Sequence, residues 1–144
     1  LLNIRGICCL RPGLPGLSEN IRVVSVVDRF LEHARIYAFE HGGDPRVFIA
    51  SADLMPRNLV KRVELMTPVE DRTCRREVLS VLRTYFKDNV KARELQADGA
   101  WLPVDRKGRS VRSQETLYRA ACETGESAQR QRRTRFVPHL PPGK

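Results

Sequence analysis

His33-Ala34-Arg35-Ile36-Tyr37-Ala38-Phe39-Glu40 is followed, across His41-Gly42-Gly43-Asp44-Pro45, by Arg46-Val47-Phe48-Ile49-Ala50-Ser51. Two short runs rich in β-branched and aromatic residues, parted by a Gly/Asp/Pro segment, predict strands at 35–39 and 46–51 joined by a hairpin turn. Upstream, residues 3–10 form an apolar run suited to a buried strand, stopped by Arg11-Pro12-Gly13-Leu14-Pro15-Gly16. Residues 21–27 are β-branched and predict another strand, after which Asp28 opens a short helical stretch through Leu31. Downstream, 61–66 reads as a strand with Val63 and Leu65 on one face. Cys74, Val78, Leu82 and Tyr85 or Phe86 recur at three- to four-residue spacing, which predicts a helix over about 70–86. Asp98-Gly99 between Arg93-Glu94-Leu95 and Trp101-Leu102 predicts a second hairpin, and 113–122 a last amphipathic helix through Leu117, Ala121 and Cys122. Strands interleaved with helices predict an α/β sandwich around a mixed sheet.

The 144 residues fit one domain, and 41% hydrophobic against 30% charged excludes wholesale disorder. No apolar run approaches the roughly 18–20 residues that span a bilayer. Leu1-Leu2-Asn3-Ile4-Arg5 has no signal-peptide pattern. With no initiator Met and a start inside a predicted strand, the chain is expected to be a piece of a longer protein. Cysteines 8, 9, 74 and 122 offer no Cys-x-x-Cys spacing, and His41 and His139 complete no zinc pattern. Buried, reduced thiols in a cytosolic protein are expected.

The net charge is +9, from 26 Lys+Arg against 17 Asp+Glu. Residues 126–144 hold Arg130, Arg132, Arg133, Arg135 and Lys144 against Glu126, a net +4, and end Pro-rich. They are expected to form a mobile basic tail to a domain at 1–125. Clustered cations point to a polyanionic partner, and DNA, RNA, anionic lipid or inorganic polyphosphate all qualify on charge. A merely solvated basic face is equally compatible.

Three features carry potential chemistry. Arg5 lies in the predicted first strand, where it either bridges to Glu19 or Glu64 or offers a guanidinium fork to phosphoryl oxygens. His33, Arg35 and Tyr37 share one strand face, and imidazole beside a cation suits an anion site with an acid or nucleophile. Ala50-Ser51-Ala52-Asp53-Leu54-Met55-Pro56-Arg57-Asn58 follows a strand, where α/β folds collect ligand groups. Ser51 and Asn58 could bond a phosphate or orient the histidine, and Asp53 could hold Arg57. Alternatively, Asp53 and Asn58 only cap turns.

Taken together, His33-x-Arg35-x4-Glu40 followed by Ser51 and Asn58 resembles a degenerate H-x-K-x4-D…G-S…N signature, the motif of the phospholipase D superfamily. With Ile4-Arg5-Gly6-Ile7-Cys8-Cys9-Leu10-Arg11-Pro12-Gly13, Leu17-Ser18-Glu19-Asn20-Ile21 and Ser51-Ala52-Asp53 to Met55-Pro56-Arg57-Asn58, the text closely resembles the last, phospholipase-D-like domain of bacterial polyphosphate kinases. The resemblance is dense over 3–95 and looser through Trp101 and Arg112. Ala50, Leu54 and His41 depart from the family's usual glycine, tryptophan and asparagine.

The resemblance implies a phospholipase-D-like sandwich with a mixed central sheet flanked by helices. It implies part of an enzyme that reversibly transfers the terminal phosphate of ATP to inorganic polyphosphate. The phosphohistidine, and the groups that hold Mg²⁺, belong to the preceding catalytic domain. Arg5 falls on a nucleotide/phosphate-binding arginine and His33 on an accessory histidine, a phosphate contact or general acid. Second-line roles fall to Arg35, Glu40, Ser51 and Asn58. Arg35 replaces the motif lysine as a clamp, and Glu40 could orient His33 or pair with Arg35. No metal ligand is expected in this segment. ATP/ADP, polyphosphate and the preceding domain are the implied partners, with a homo-oligomer in the full enzyme, no nucleic acid, and a cytoplasmic setting that extends to the inner face of the membrane. A stand-alone phosphodiesterase and a non-catalytic polyanion-binding module are the competing readings.

Overall fold

The computed structural model describes residues 1–131, and the predicted tail beyond Gln131 lies outside the described residues. The chain runs β1 (Leu2–Asn3), β2 (Val23–Val26), β3 (Ile36–Phe39), β4 (Arg46–Ala50), α1 (Pro56–Lys61), β5 (Met66–Pro68), α2 (Arg72–Lys87), β6 (Ala92–Leu95), β7 (Trp101–Pro103) and α3 (Ser113–Gln131). It is a mixed α/β domain whose strands divide between two sheets.

One sheet has the order β1-β2-β6-β7. It is mixed as expected: β1 and β2 are parallel, and the other neighbours antiparallel. Every residue of β2 is buried, which is why Val-Val-Ser-Val carries no polar/apolar alternation. Val23, Val24 and Val26 with Ala92 and Leu95 of β6 form the heart of the core. The other sheet, β3-β4-β5, is wholly antiparallel, with Tyr37 opposite Phe48 and Ile49 opposite Thr67. Phe39 and Phe48 pack edge to face across it at 6.1 Å. A single central sheet therefore gives way to two.

Asp88, 1% exposed, joins the layers. Its Oδ1 accepts from the backbone N–H of Val90, Lys91 and Ala92, and its Oδ2 from the N–H and hydroxyl of Ser113 at 2.7 Å. The turn out of α2, the start of β6 and the start of α3 thus meet on one carboxylate. Burial pushes that carboxyl up, but the bonds from Lys91, Ser113 and Val90 outweigh it and hold it below the ordinary range. At the other end of α2, Asp71 caps the helix by accepting from Thr73 and Cys74 N–H at 2.9 Å.

The structure corrects several expected elements. The run at 3–10 is a strand only as far as Asn3, because β1 pairs with β2 alone. Its last bond runs from Ile4 N–H to Val24 C=O, and beyond it Arg5, Gly6 and Ile7 are exposed. No helix forms at 28–31, because the Gln114 side chain takes both Phe30 N–H and Phe30 C=O, at 2.9 and 2.8 Å, and Asp28 is held by Arg112. The strand expected at 61–66 is displaced: Pro56 starts α1, which ends at Lys61, and pairing with β4 begins only at Met66. Val63, 98% exposed, faces solvent. The cysteines are free, but Cys9, Cys74 and Cys122 are exposed and Cys8 half-buried, so they are not the buried thiols expected. The α2 helix and the β6–β7 hairpin lie where expected, and α3 continues past residue 125 to Gln131. No helix among the described residues is long and apolar enough to cross a membrane.

Candidate functional site

The ends of three strands of the second sheet converge. Ala50 N–H donates to Arg35 C=O at 3.0 Å and Ser51 N–H to Leu65 C=O at 3.0 Å, so the start of β3, the end of β4 and the approach to β5 lie side by side. Side chains from these ends form one connected polar chain. Arg35 donates from Nε to Asp53 Oδ1 at 2.8 Å, and its NH2 lies 2.5 Å from His33 Nε2. Asn58, 2% exposed on α1, helps hold the Asp53 carboxyl down and accepts from Arg62 Nη1 at 3.4 Å. Arg62 pairs with Glu64 Oε1 at 3.3 Å, and Ser51 donates its hydroxyl to Glu64 Oε2 while accepting from Leu65 N–H at 2.9 Å.

The local sequence explains this arrangement. Ala52 is buried and anchors the segment after β4. Asp53 C=O accepts from Met55 N–H at 2.7 Å, and Pro56, lacking an N–H, suits the first position of α1. That short helix carries Asn58 inward beneath Asp53. The electrostatics follow from the pairing: the hydrogen bond from Arg35 holds Asp53 well below the usual carboxylate range despite partial desolvation, and Asp53 in turn raises Arg35. Glu64 carries an oxygen, Oε1, that is screened from solvent and has an ion pair but no well-formed hydrogen bond.

Four of the expected residues, His33, Arg35, Ser51 and Asn58, thus belong to one network. Glu40 does not: it is exposed and makes no hydrogen bond or ion pair among the described residues, so neither His33 nor Arg35 is its partner. Arg5 is exposed and likewise unpaired. The bridges considered for it are taken, since Glu19 accepts from Gly16 N–H at 2.9 Å and Glu64 belongs to Arg62 and Ser51. Asp53 holds Arg35 rather than Arg57. Three members were missed as site residues: Asp53 in its actual role, Arg62 and Glu64. Glu64 did leave a signal, being the single carboxylate inside the apolar Val63-Glu64-Leu65-Met66 stretch.

Exposed His33 and Arg5, with an arginine already aligned on the imidazole, suit contact with phosphoryl oxygens. A divalent cation does not fit these side chains: Asp53 and Glu64 are each committed to an arginine, and no group of three His, Cys, Asp or Glu converges among the described residues. A wide hollow of about 550 Å³ lined by Asp44, Pro45, Arg72, Arg75, Arg76 and Leu79 includes none of the candidate residues.

The model of the family described as polyphosphate kinase C-terminal domain 2 matches residues 1–114. The chain belongs to this family. Among curated polyphosphate kinases, that of Rhodopirellula baltica is 49% identical over 142 residues, 97% of this chain and 17% of the relative. That of Halalkalibacterium halodurans is 47% identical over 128 residues, 88% of this chain and 18% of the relative. The crystal structure of polyphosphate kinase from Porphyromonas gingivalis superimposes with a TM-score of 0.79 at 41% identity, covering 87% of this chain and 20% of that one. The chain therefore spans about a fifth or less of the polyphosphate kinases it matches.

Proposed function

We propose that this chain is the second phospholipase-D-like domain, over residues 1–125, of an enzyme that reversibly transfers the terminal phosphate of ATP to inorganic polyphosphate. The observation that carries the reading is the domain match together with the His33–Arg35–Asp53 triplet at the strand ends. In this reading Arg5 and His33 contact the nucleotide or polyphosphate. Phosphoryl transfer is largely positioning plus neutralisation of developing charge, work suited to a guanidinium and an imidazole. Arg35 and Asn58 brace His33, Ser51 braces Glu64, and Glu40 is left without a part. The nucleophilic histidine and the groups that hold Mg²⁺ lie in the preceding domain of the same chain, so the 144 residues alone make no polyphosphate. A cytoplasmic homo-oligomer is the setting, with the basic residues 126–144 serving the domain as a tail and no nucleic acid as partner.

The test is a chimera: the Rhodopirellula baltica enzyme with this chain in place of its matching residues. It should synthesise polyphosphate from ATP, and Arg5→Ala or His33→Ala should each lower turnover on the order of 100-fold, as expected when one positioned proton donor or charge is lost. Unchanged ADP affinity and turnover in both variants would overturn the site assignment.

A further inference from the structure

We propose that Asp53 is a positioning residue for His33: by anchoring Arg35, it holds the guanidinium against Nε2 and keeps the ring proton on Nδ1. The inference rests on reading this site as one for phosphoryl chemistry, and adds to it the state in which His33 meets a phosphate.

Arg35 presents a guanidinium to His33. It has five N–H donors, no acceptor, and does not lose its proton in proteins. His33 Nε2, 2.5 Å from Arg35 NH2, must therefore be the acceptor in that contact. A neutral imidazole carries one donor and one acceptor nitrogen, so the remaining proton sits on Nδ1. Arg35 NH1 also lies 3.5 Å from the carbonyl of His33, so the guanidinium spans both ring and backbone of the same residue.

Arginine left to itself spreads over many rotamers, and holding one costs side-chain entropy. Here the anchor is Asp53, 2.8 Å from Nε, the one guanidinium nitrogen whose direction fixes the plane of the other two. Asp53 is steadied in turn by Asn58, the most deeply buried member of the network. Order thus passes outward from a buried amide, through a carboxylate and a guanidinium, to an exposed imidazole. Among the described residues Asp53 makes no hydrogen bond to His33, so it orients the ring through Arg35.

With its lone pair on Nε2, resting His33 takes a proton at that atom before it can give one there. Arg35, already spent on Asp53 and His33, orients the ring more than it clamps a phosphate.

Long-range ¹H–¹⁵N correlation spectra of the ¹⁵N-labelled 144-residue chain, recorded where the ring is neutral, read the tautomer directly. The expected result is an unprotonated Nε2 and a protonated Nδ1 in the unaltered chain. Asp53→Ala should shift the ring toward the Nε2–H form, and Asp53→Glu should restore much of the original ratio. Arg35→Lys, whose single ammonium cannot span Asp53 and His33 with separate nitrogens, should reproduce the shift by a route that leaves Asp53 in place. A ring protonated on Nε2 in the unaltered chain would overturn the proposal, as would an unaltered tautomer in Asp53→Ala or in Arg35→Lys. No nucleotide or polyphosphate is in the sample, so this failure is separate from failure of the polyphosphate assignment.

Discussion

Arg112 grips Asp28 through two parallel hydrogen bonds of 2.7 Å, Nε to Oδ2 and NH2 to Oδ1. The pair ties the segment leaving β2 to the residue before α3, and the Asp28 side chain is only 3% exposed. Arg112→Lys cannot reproduce the fork, so its urea midpoint should fall, and Arg112→Ala should fall further because a buried carboxylate is left unpaired. The Arg112 hydrogen bond holds the Asp28 carboxyl below its ordinary value. A depressed folded value stabilises above the unfolded carboxylate pKa of about 3.9. That contribution is lost as pH falls through the folded value. The gap between the unaltered chain and Arg112→Ala should therefore close in acid, which urea titrations at pH 7 and at about pH 3 would measure.

Asp88 gathers five donors on a buried carboxylate. Asp88→Ala strands them, and at about 1 kcal/mol or more per lost partner the cost should reach at least ~3 kcal/mol. Asp88→Asn keeps one acceptor oxygen and should cost less. Equilibrium urea unfolding checks both, and a loss under about 1 kcal/mol in Asp88→Ala would sink the role given to this carboxylate.

Gly99 closes the β6–β7 hairpin at φ +93°, with its N–H on Gln96 C=O at 3.0 Å. An added Cβ would meet no atom within 4 Å. Gly99→Ala should therefore cost about 1–2 kcal/mol from backbone conformation alone, without repacking. Thermal unfolding with an unchanged near-UV spectrum is the expected signature.

Within the chimeric enzyme, Arg35→Lys should lower kcat more than it raises KM, because the residue orients His33 rather than carrying substrate. An equal rise in KM with kcat intact would make Arg35 a plain phosphate clamp.

The sequence revealed elements whose signal is local. The stripe Cys74, Val78, Leu82 and Tyr85 marks α2, and Asp98-Gly99 marks its hairpin, because spacing and turn chemistry alone decide them. It misled where a distant group intervenes: residues 28–31 lose their helix to the Gln114 side chain, and 3–10 end as a strand because only β2 is there to pair. Two sheets in place of one follow from register, which no periodicity encodes. At the site, His33, Arg35, Ser51 and Asn58 were legible as a motif. Glu64 became visible only once β5 began at Met66 and brought Leu65 beside Ser51. The partner of Asp53 was misread because Arg57 is near in sequence, whereas Arg35 is near in space.

The two sheets differ in how far apart their partners lie along the chain. Val24 pairs with Glu94 and Val26 with Ala92, across the whole of the intervening second sheet. Closing so long a loop is slow, and folding rates fall as contacts become less local. The β3-β4-β5 meander, with the polar chain from His33 to Glu64, closes entirely on near neighbours. It should assemble before β2 meets β6 and open without waiting for them to part. Amide protons of β3 to β5 should then exchange through sub-global openings, while those of β2 report the whole molecule. The end of the domain that holds His33 should then open as its own small cooperative unit while the valine core stays shut.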